Sequence, residues 1–164
     1  MNFKSLSRTL KLVFPGVLFA LASCLNSTKP SIKQDGFSSQ MVEFVAYPGN
    51  PVFAGTDTAT WDRRIRERGF IIFEDSLYRM WYTGYNPGLA SQKFLGYATS
   101  KDGINWNRYS GNPAFSDKWT EDVFVIRNEG IYYMFAEGDH DVAHLLSSTD
   151  GISWAEQGDL TLLT

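Results

Sequence analysis

The chain has almost no cysteine: Cys24 is the single one among 164 residues, so no disulfide can form within it. Histidine is scarce too, with only His140 and His144. There is no Gly-rich phosphate loop, and no Ser, His and Asp order that points to a nucleophilic triad. Basic excess is missing as well. The formal charge is −3, and it falls to −6 without Lys4, Arg8 and Lys11, which argues against nucleic acid as a partner. No apolar run is long enough to cross a bilayer, since the nearest, residues 12–20, is too short. Helix-like composition is confined to TWDRRIRERG (60–69), read here as an irregular loop. What the chain does have is 43% hydrophobic and 15% aromatic residues, core material that suits an all-β fold because aromatic side chains fit pleated, half-buried surfaces.

The amino terminus reads as a targeting segment. Lys4, Arg8 and Lys11 form a basic start, residues 12–20 an apolar stretch, and Leu21-Ala22-Ser23-Cys24 resembles the lipobox of bacterial lipoproteins. The resemblance implies cleavage before Cys24, lipidation of that cysteine and export to the bacterial cell envelope. A membrane partner through a lipid anchor follows. Leu25, where an Asp would signal inner-membrane retention, points to the outer membrane or cell surface. Residues 1–23 are thus expected to be a lipoprotein signal peptide, 24–40 a polar tether and 41–164 the folded domain.

The folded part repeats itself. LYRMWYT (77–83) and TSKDGINW (99–106) return as IYYMFAE (131–137) and SSTDGISW (147–154). Tyr78 and Tyr132, Met80 and Met134, and Trp81 and Phe135 are 54 apart, whereas Asp102 and Asp150 are 48 apart; six extra residues therefore lie within the turn-rich YNPGLASQKF (85–94). In each copy two strand-like runs flank a tight turn, Asp75-Ser76 or Glu129-Gly130, and two more strands follow. Four antiparallel strands make a β-propeller blade. The expected fold is all-β, with about two four-stranded blades, whereas a closed propeller needs roughly four to eight. Unpaired blade edges predict self-association.

Candidate chemistry lies where the copies open. Asp102-Gly103 and Asp150-Gly151 read as positive-φ turns, and Trp106 and Trp154 as apolar plugs between blades. Extending the 54-residue offset backwards pairs Glu67 with Glu121 and Arg68 with Asp122. First strands line the channel of a propeller, so acids there converge, as glycosidic cleavage requires of a proton donor and a second carboxylate. The alternative for each is an ion pair with Arg66 or Arg68. Arg63, Arg64, Arg66 and Arg68 could contact an anionic sugar. Trp61, Trp81, Tyr82, Tyr85 and Trp119 offer stacking surfaces. Glu137, Asp139, His140, Asp141 and His144 form an acidic and imidazole cluster, read as a solvated loop rather than a metal site.

WTEDVFVIRNEGIYYMFAEG (119–138) resembles the second-blade signature of the five-bladed β-propeller glycosidases related to glycoside hydrolase families 43 and 32, and YRMWYTGY and GYATSKDGINW are similar to bacterial members of that superfamily. The resemblance covers roughly residues 47–157. It implies a carbohydrate substrate or ligand, no cofactor, and a role for Asp122 in orienting the general acid. The position equivalent to Asp122 in the first copy is Arg68, which leaves Asp62 or Glu67 as candidate bases. The reading is a glycosidase with Asp122, Glu121, Glu67 and Asp62 as catalytic candidates and Arg68, Trp61, Trp119, Glu137 and His140 as substrate contacts. The alternatives are a non-catalytic surface glycan-binding lipoprotein and an inactive propeller fragment.

Overall fold

The computed structural model describes residues 38, 41–66 and 68–161. The expected leader, Cys24, nearly all of the expected tether, and Glu67 lie outside the described residues. The compact unit considered below begins at Ala46.

It contains nine strands and one short 3-10 helix (Asp139–Asp141) among the described residues. The first sheet comprises β1 (Arg64–Ile65), β2 (Phe70–Glu74), β3 (Leu77–Asn86), β4 (Ala90–Ser100) and β5 (Trp106–Arg108). Strands β1 and β2 both pair with β3, at opposite ends of it, and together form one interrupted first strand. The second sheet runs β6 (Glu121–Asn128), β7 (Ile131–Glu137), β8 (Ala143–Ser148) and β9 (Ala155–Asp159) in that order. All pairings are antiparallel. Each sheet is thus a four-layer meander, the blade expected from the repeat.

The turns form for the reasons read from the sequence. Asp75 and Ser76 adopt φ of 50° and 60°, and Glu129 and Gly130 adopt 51° and 84°, giving two-residue hairpin loops whose twist matches that of the strands. In the Asp-Gly loops, Gly103 and Gly151 sit at φ 74° and 75°. The Asp102 carboxylate accepts the N–H groups of Ile104 and Asn105, and Asp150 accepts those of Ile152 and Ser153. Ser100 and Ser148 hydroxyls accept from Gly103 and Gly151.

Alternation along the strands distributes the core over both faces of the first blade. Trp81, Leu95 and Tyr97 meet Val123, Val125, Tyr132, Met134, Ala136 and Leu146 of the second blade, with Phe115 between them. On the opposite face Met80, Tyr82 and Ala98 pack under Phe53, Trp61, Ile65 and Trp106. The plug expected of the second tryptophan is seen: Trp154 meets Trp81 edge-on at 6.2 Å. Phe70, Ile72 and Trp81 pack into the cluster shared with the second blade, whereas their equivalents Phe124, Ile126 and Phe135 lie outside it. Phe124 is 50% exposed.

Candidate active site

Successive blades set equivalent residues side by side. Phe70 and Phe124 make an edge-to-face contact at 5.0 Å, and next to them Arg68 pairs with Asp122. The acidic opening of the second blade therefore lies against the interruption between β1 and β2 of the first.

That opening is shaped by a bulge. Glu121 pairs with Glu137, yet Phe124 pairs with Phe135, so one extra residue is accommodated, and Asp122 adopts φ 49°. Asp is among the few residues other than glycine that tolerate this left-handed region. The result is three carboxyl groups at one end of the β6–β7 pair.

Glu121 is buried, and its oxygens are taken. Lys93 Nζ donates to Oε1 at 2.6 Å, Trp119 Nε1 donates to the same oxygen at 2.8 Å, and Arg66 Nε lies 3.0 Å from Oε2. Burial pushes this carboxyl up, but the Lys93 and Trp119 hydrogen bonds and the Lys93 and Arg66 charges outweigh it and hold the group below the ordinary glutamate value. Lys93 also lies over the Trp119 ring, 4.3 Å from its centre, so this tryptophan is committed to the ion cluster. Glu121 is a fixed anion that organises cations.

Glu137 differs. Partial burial, followed by the charges of Asp122, Glu121 and Asp141, pushes its carboxyl above the ordinary value. Asp122 offers Oδ2 to Arg68 and keeps Oδ1 buried.

The remaining expected residues fall elsewhere. Asp62 is on the other face of the first blade, with Tyr82 rather than Trp81, where Tyr82 Oη, Thr56 Oγ1 and Arg108 Nε donate to its carboxylate at 3.2, 2.5 and 3.0 Å. It fastens the segment before β1 to the sheet. Trp61 stacks on Tyr82 at 5.9 Å on that same face and lines a small cleft of about 150 Å³ with Leu89, Ala90 and Phe94. His140 projects into solvent beside Asp139, at 3.1 Å. Larger clefts of about 340 and 400 Å³, lined by residues such as Phe115 and Trp154 or Arg79 and Tyr97, are also remote from the carboxyl group cluster. Among the described residues no group of three or more His, Cys, Asp or Glu has the geometry to hold a metal ion. Lys93 was not anticipated as a site residue. It sits in the turn-rich insertion, and only its place in β4, where its carbonyl accepts from Thr120 N–H, brings it to Glu121.

No protein-family model matches the chain. A curated relative, the 1,2-beta-oligomannan phosphorylase of Thermoanaerobacter sp. (strain X514), is 28% identical over 136 residues, which span 72% of this chain and 45% of the relative. The chain therefore spans less than half the length of that protein. Among solved structures, a candidate glycoside hydrolase from Bacteroides ovatus superposes with TM-score 0.56 at 22% identity, covering 71% of this chain and 41% of its own. A family 32 beta-fructofuranosidase of Bombyx mori gives TM-score 0.52 at 20% identity over 57% of this chain and 22% of the enzyme. The described residues thus form two consecutive blades of a β-propeller, the fold shared with these structures.

Proposed function

We propose that this sequence is part of a carbohydrate-active protein that cleaves glycosidic bonds at the acidic opening of the second blade. The supporting observation is the convergence of Asp122, Glu121 and Glu137 with Arg66, Arg68, Lys93 and Trp119 beside the first strands of two blades. Cleavage of a glycosidic bond needs a proton donor and a second carboxylate a few ångströms away, on a surface that orients hydroxyl groups. Glu137 and Asp122 supply the carboxyl pair, and Arg68 borders it.

The relatives support a glycan as ligand. One structural neighbour is an RGII complex, and another is a complex with sucrose. The curated relative is a phosphorylase, so the attacking group is either water or inorganic phosphate. The proposed setting is the bacterial cell envelope, with the protein held by a lipid on Cys24, and the exposed outer face of the second blade is proposed to support self-association.

The test is a panel of plant and microbial glycans incubated with the full chain, with and without inorganic phosphate, and analysed by chromatography for released sugars or sugar phosphates. Product release supports cleavage. Calorimetric binding without any product would replace it with a glycan-binding role.

A further inference from the structure

Neither of the two larger clefts is lined by a residue of the carboxyl cluster, and they share Tyr109 and Ile152, so together they form one groove. Its part of about 340 Å³ runs between the loop after β5 and Trp154, and its part of about 400 Å³ runs along Arg79 and Tyr97. One wall therefore belongs to the first blade, and the other, Ile152 to Trp154, to the second.

Both walls are built before any ligand arrives. Asn112 fastens the loop after β5 to β4: Tyr97 N–H donates to its Oδ1 at 2.9 Å, and its Nδ2 donates to the Tyr97 carbonyl at 2.9 Å. The Tyr109 N–H donates to that carbonyl as well, at 2.9 Å. Across the groove, Asp150 fixes Ile152 and Ser153 by accepting both N–H groups at 2.7 Å. Tyr109 stays 41% exposed, and its ring lies over Gly111, where an added Cβ would stand 2.6 Å from it. Trp154 is less tied than its counterpart in the first blade. Trp106 donates its indole N–H to the Gly103 carbonyl at 3.1 Å, but Trp81 takes the equivalent Gly151 carbonyl, and Trp154 Nε1 has no acceptor. Packing rather than a hydrogen bond holds the Trp154 ring in the wall.

The cations of the groove are already paired. Arg79 lies 2.7 Å from Glu74 and donates to the Tyr97 hydroxyl, and Arg108 lies 3.0 Å from Asp62. Asp117 lines the groove with no ion-pair partner among the described residues, since the adjacent Lys118 pairs with Glu156 and Asp159. An anionic ligand is disfavoured there. A ligand with hydroxyl groups for the carboxylate and apolar C–H faces for the aromatic rings is favoured.

We propose that this groove is a second carbohydrate-binding site, separate from the acidic opening, and that it takes a neutral oligosaccharide. Tyr109 and Trp154 receive the apolar faces of sugar rings, and Asp117 accepts from sugar hydroxyls. Because both walls are preformed, binding forfeits little in ordering them. The site does not depend on the cleavage reading above.

The experiment follows amide and indole ¹H–¹⁵N resonances of the full chain during titration with mannotriose, xylotriose and arabinotriose, and with trigalacturonate as the charged probe. Saturable shifts of the Trp154 indole N–H and of the Tyr109 and Gly111 amides are expected with at least one neutral probe, and weaker binding with trigalacturonate. Tyr109→Ala should raise Kd by about tenfold, the size of one lost aromatic contact, whereas Tyr109→Phe should keep it. Gly111→Ala, which displaces the ring, should weaken binding as well, and Asp117→Asn should narrow the gap between neutral and charged probes. No saturable shift with any probe, shifts confined to the acidic opening, or a Kd indifferent to Tyr109→Ala overturns the proposal. Tighter binding of trigalacturonate overturns the neutral ligand class. Binding here by a chain that releases no product contradicts the cleavage reading alone, and product release without binding here contradicts this site alone.

Discussion

Arg68 and Asp122 hold the same place in successive blades, 54 residues apart, and they form an ion pair across the blade boundary. Their partnership shows how the repeat works: equivalent positions end up as neighbours, and a difference in sign between them becomes a contact. The same boundary is fastened at the hairpin end of β2, where Glu74 accepts from Arg127 at 3.1 Å and from the Tyr132 hydroxyl.

A second contact at this boundary gives the first prediction. Trp81 is fully buried and donates its indole N–H to the Gly151 carbonyl at 2.7 Å. Trp81→Phe keeps most of the apolar volume but leaves that carbonyl unpaired. Urea denaturation is expected to show a loss of about 1–3 kcal/mol.

The two Asp-Gly loops respond differently to a methyl group. At Gly103 an added Cβ lies 3.7 Å from Tyr78, so Gly103→Ala carries only the left-handed backbone cost of about 1–2 kcal/mol. At Gly151 the Cβ also meets the Trp81 ring at 3.2 Å and Tyr132 at 3.4 Å. Gly151→Ala is therefore expected to melt at the lower temperature of the two. Equal melting temperatures would show that the blade boundary does not transmit the clash.

Asp150 makes part of the stability depend on acid pH. Burial pushes its carboxyl up, but the backbone N–H groups of Ser153 and Ile152 and the Ser148 and Ser153 hydroxyls bring it down to about 2. The folded value lies below the unfolded one, so the contribution is present above about pH 4 and is lost as pH falls through about 2. Asp150→Asn keeps an acceptor in the turn but does not titrate. Chemical denaturation between pH 4 and 2 should show a flatter pH slope in the variant.

His144 contributes in a different window. It is fully buried; burial and the Lys118 charge lower its pKa, against the opposing pull of Glu156 and Asp159. A base held below its unfolded value takes up more protons when unfolded, so stability is present above about pH 6.5 and falls as pH drops below it. His144→Leu should remove that slope in thermal melts at pH 7.5 to 5.

The exposed Phe124 and Ile126 repeat the positions at which Phe70 and Ile72 bind the second blade. Sedimentation velocity on the full chain is expected to show concentration-dependent association, reduced in a Phe124→Lys, Ile126→Lys double variant. A monomer at every concentration would contradict the proposed self-association.

Much of the fold was legible because local patterns and the repeat agree. The turns at Asp75-Ser76 and Glu129-Gly130, the strands on either side and the Trp154 plug follow from turn chemistry and alternation, whereas Trp106 packs with Phe53 and Tyr82 on the face away from the second blade. The site was legible only in part. A tight turn at Glu129-Gly130 pairs Asn128 with Ile131, and a regular ladder from there would set Asp122 opposite Glu137. The bulge brings Glu121 to that place instead, and no glycine announces it. Asp62 lies five residues before Glu67, yet a loop crossing to the other face of a sheet leaves no periodic signal. Lys93 reaches Glu121 through tertiary structure alone.

The most direct test of the account is kcat/KM of Asp122→Asn against wild type, on whichever glycan the wild type cleaves, with both melts recorded. The account predicts a fall of about 100-fold or more with a folded, cooperatively melting variant. Equal turnover by the variant would contradict the placement of the site at the opening of the second blade.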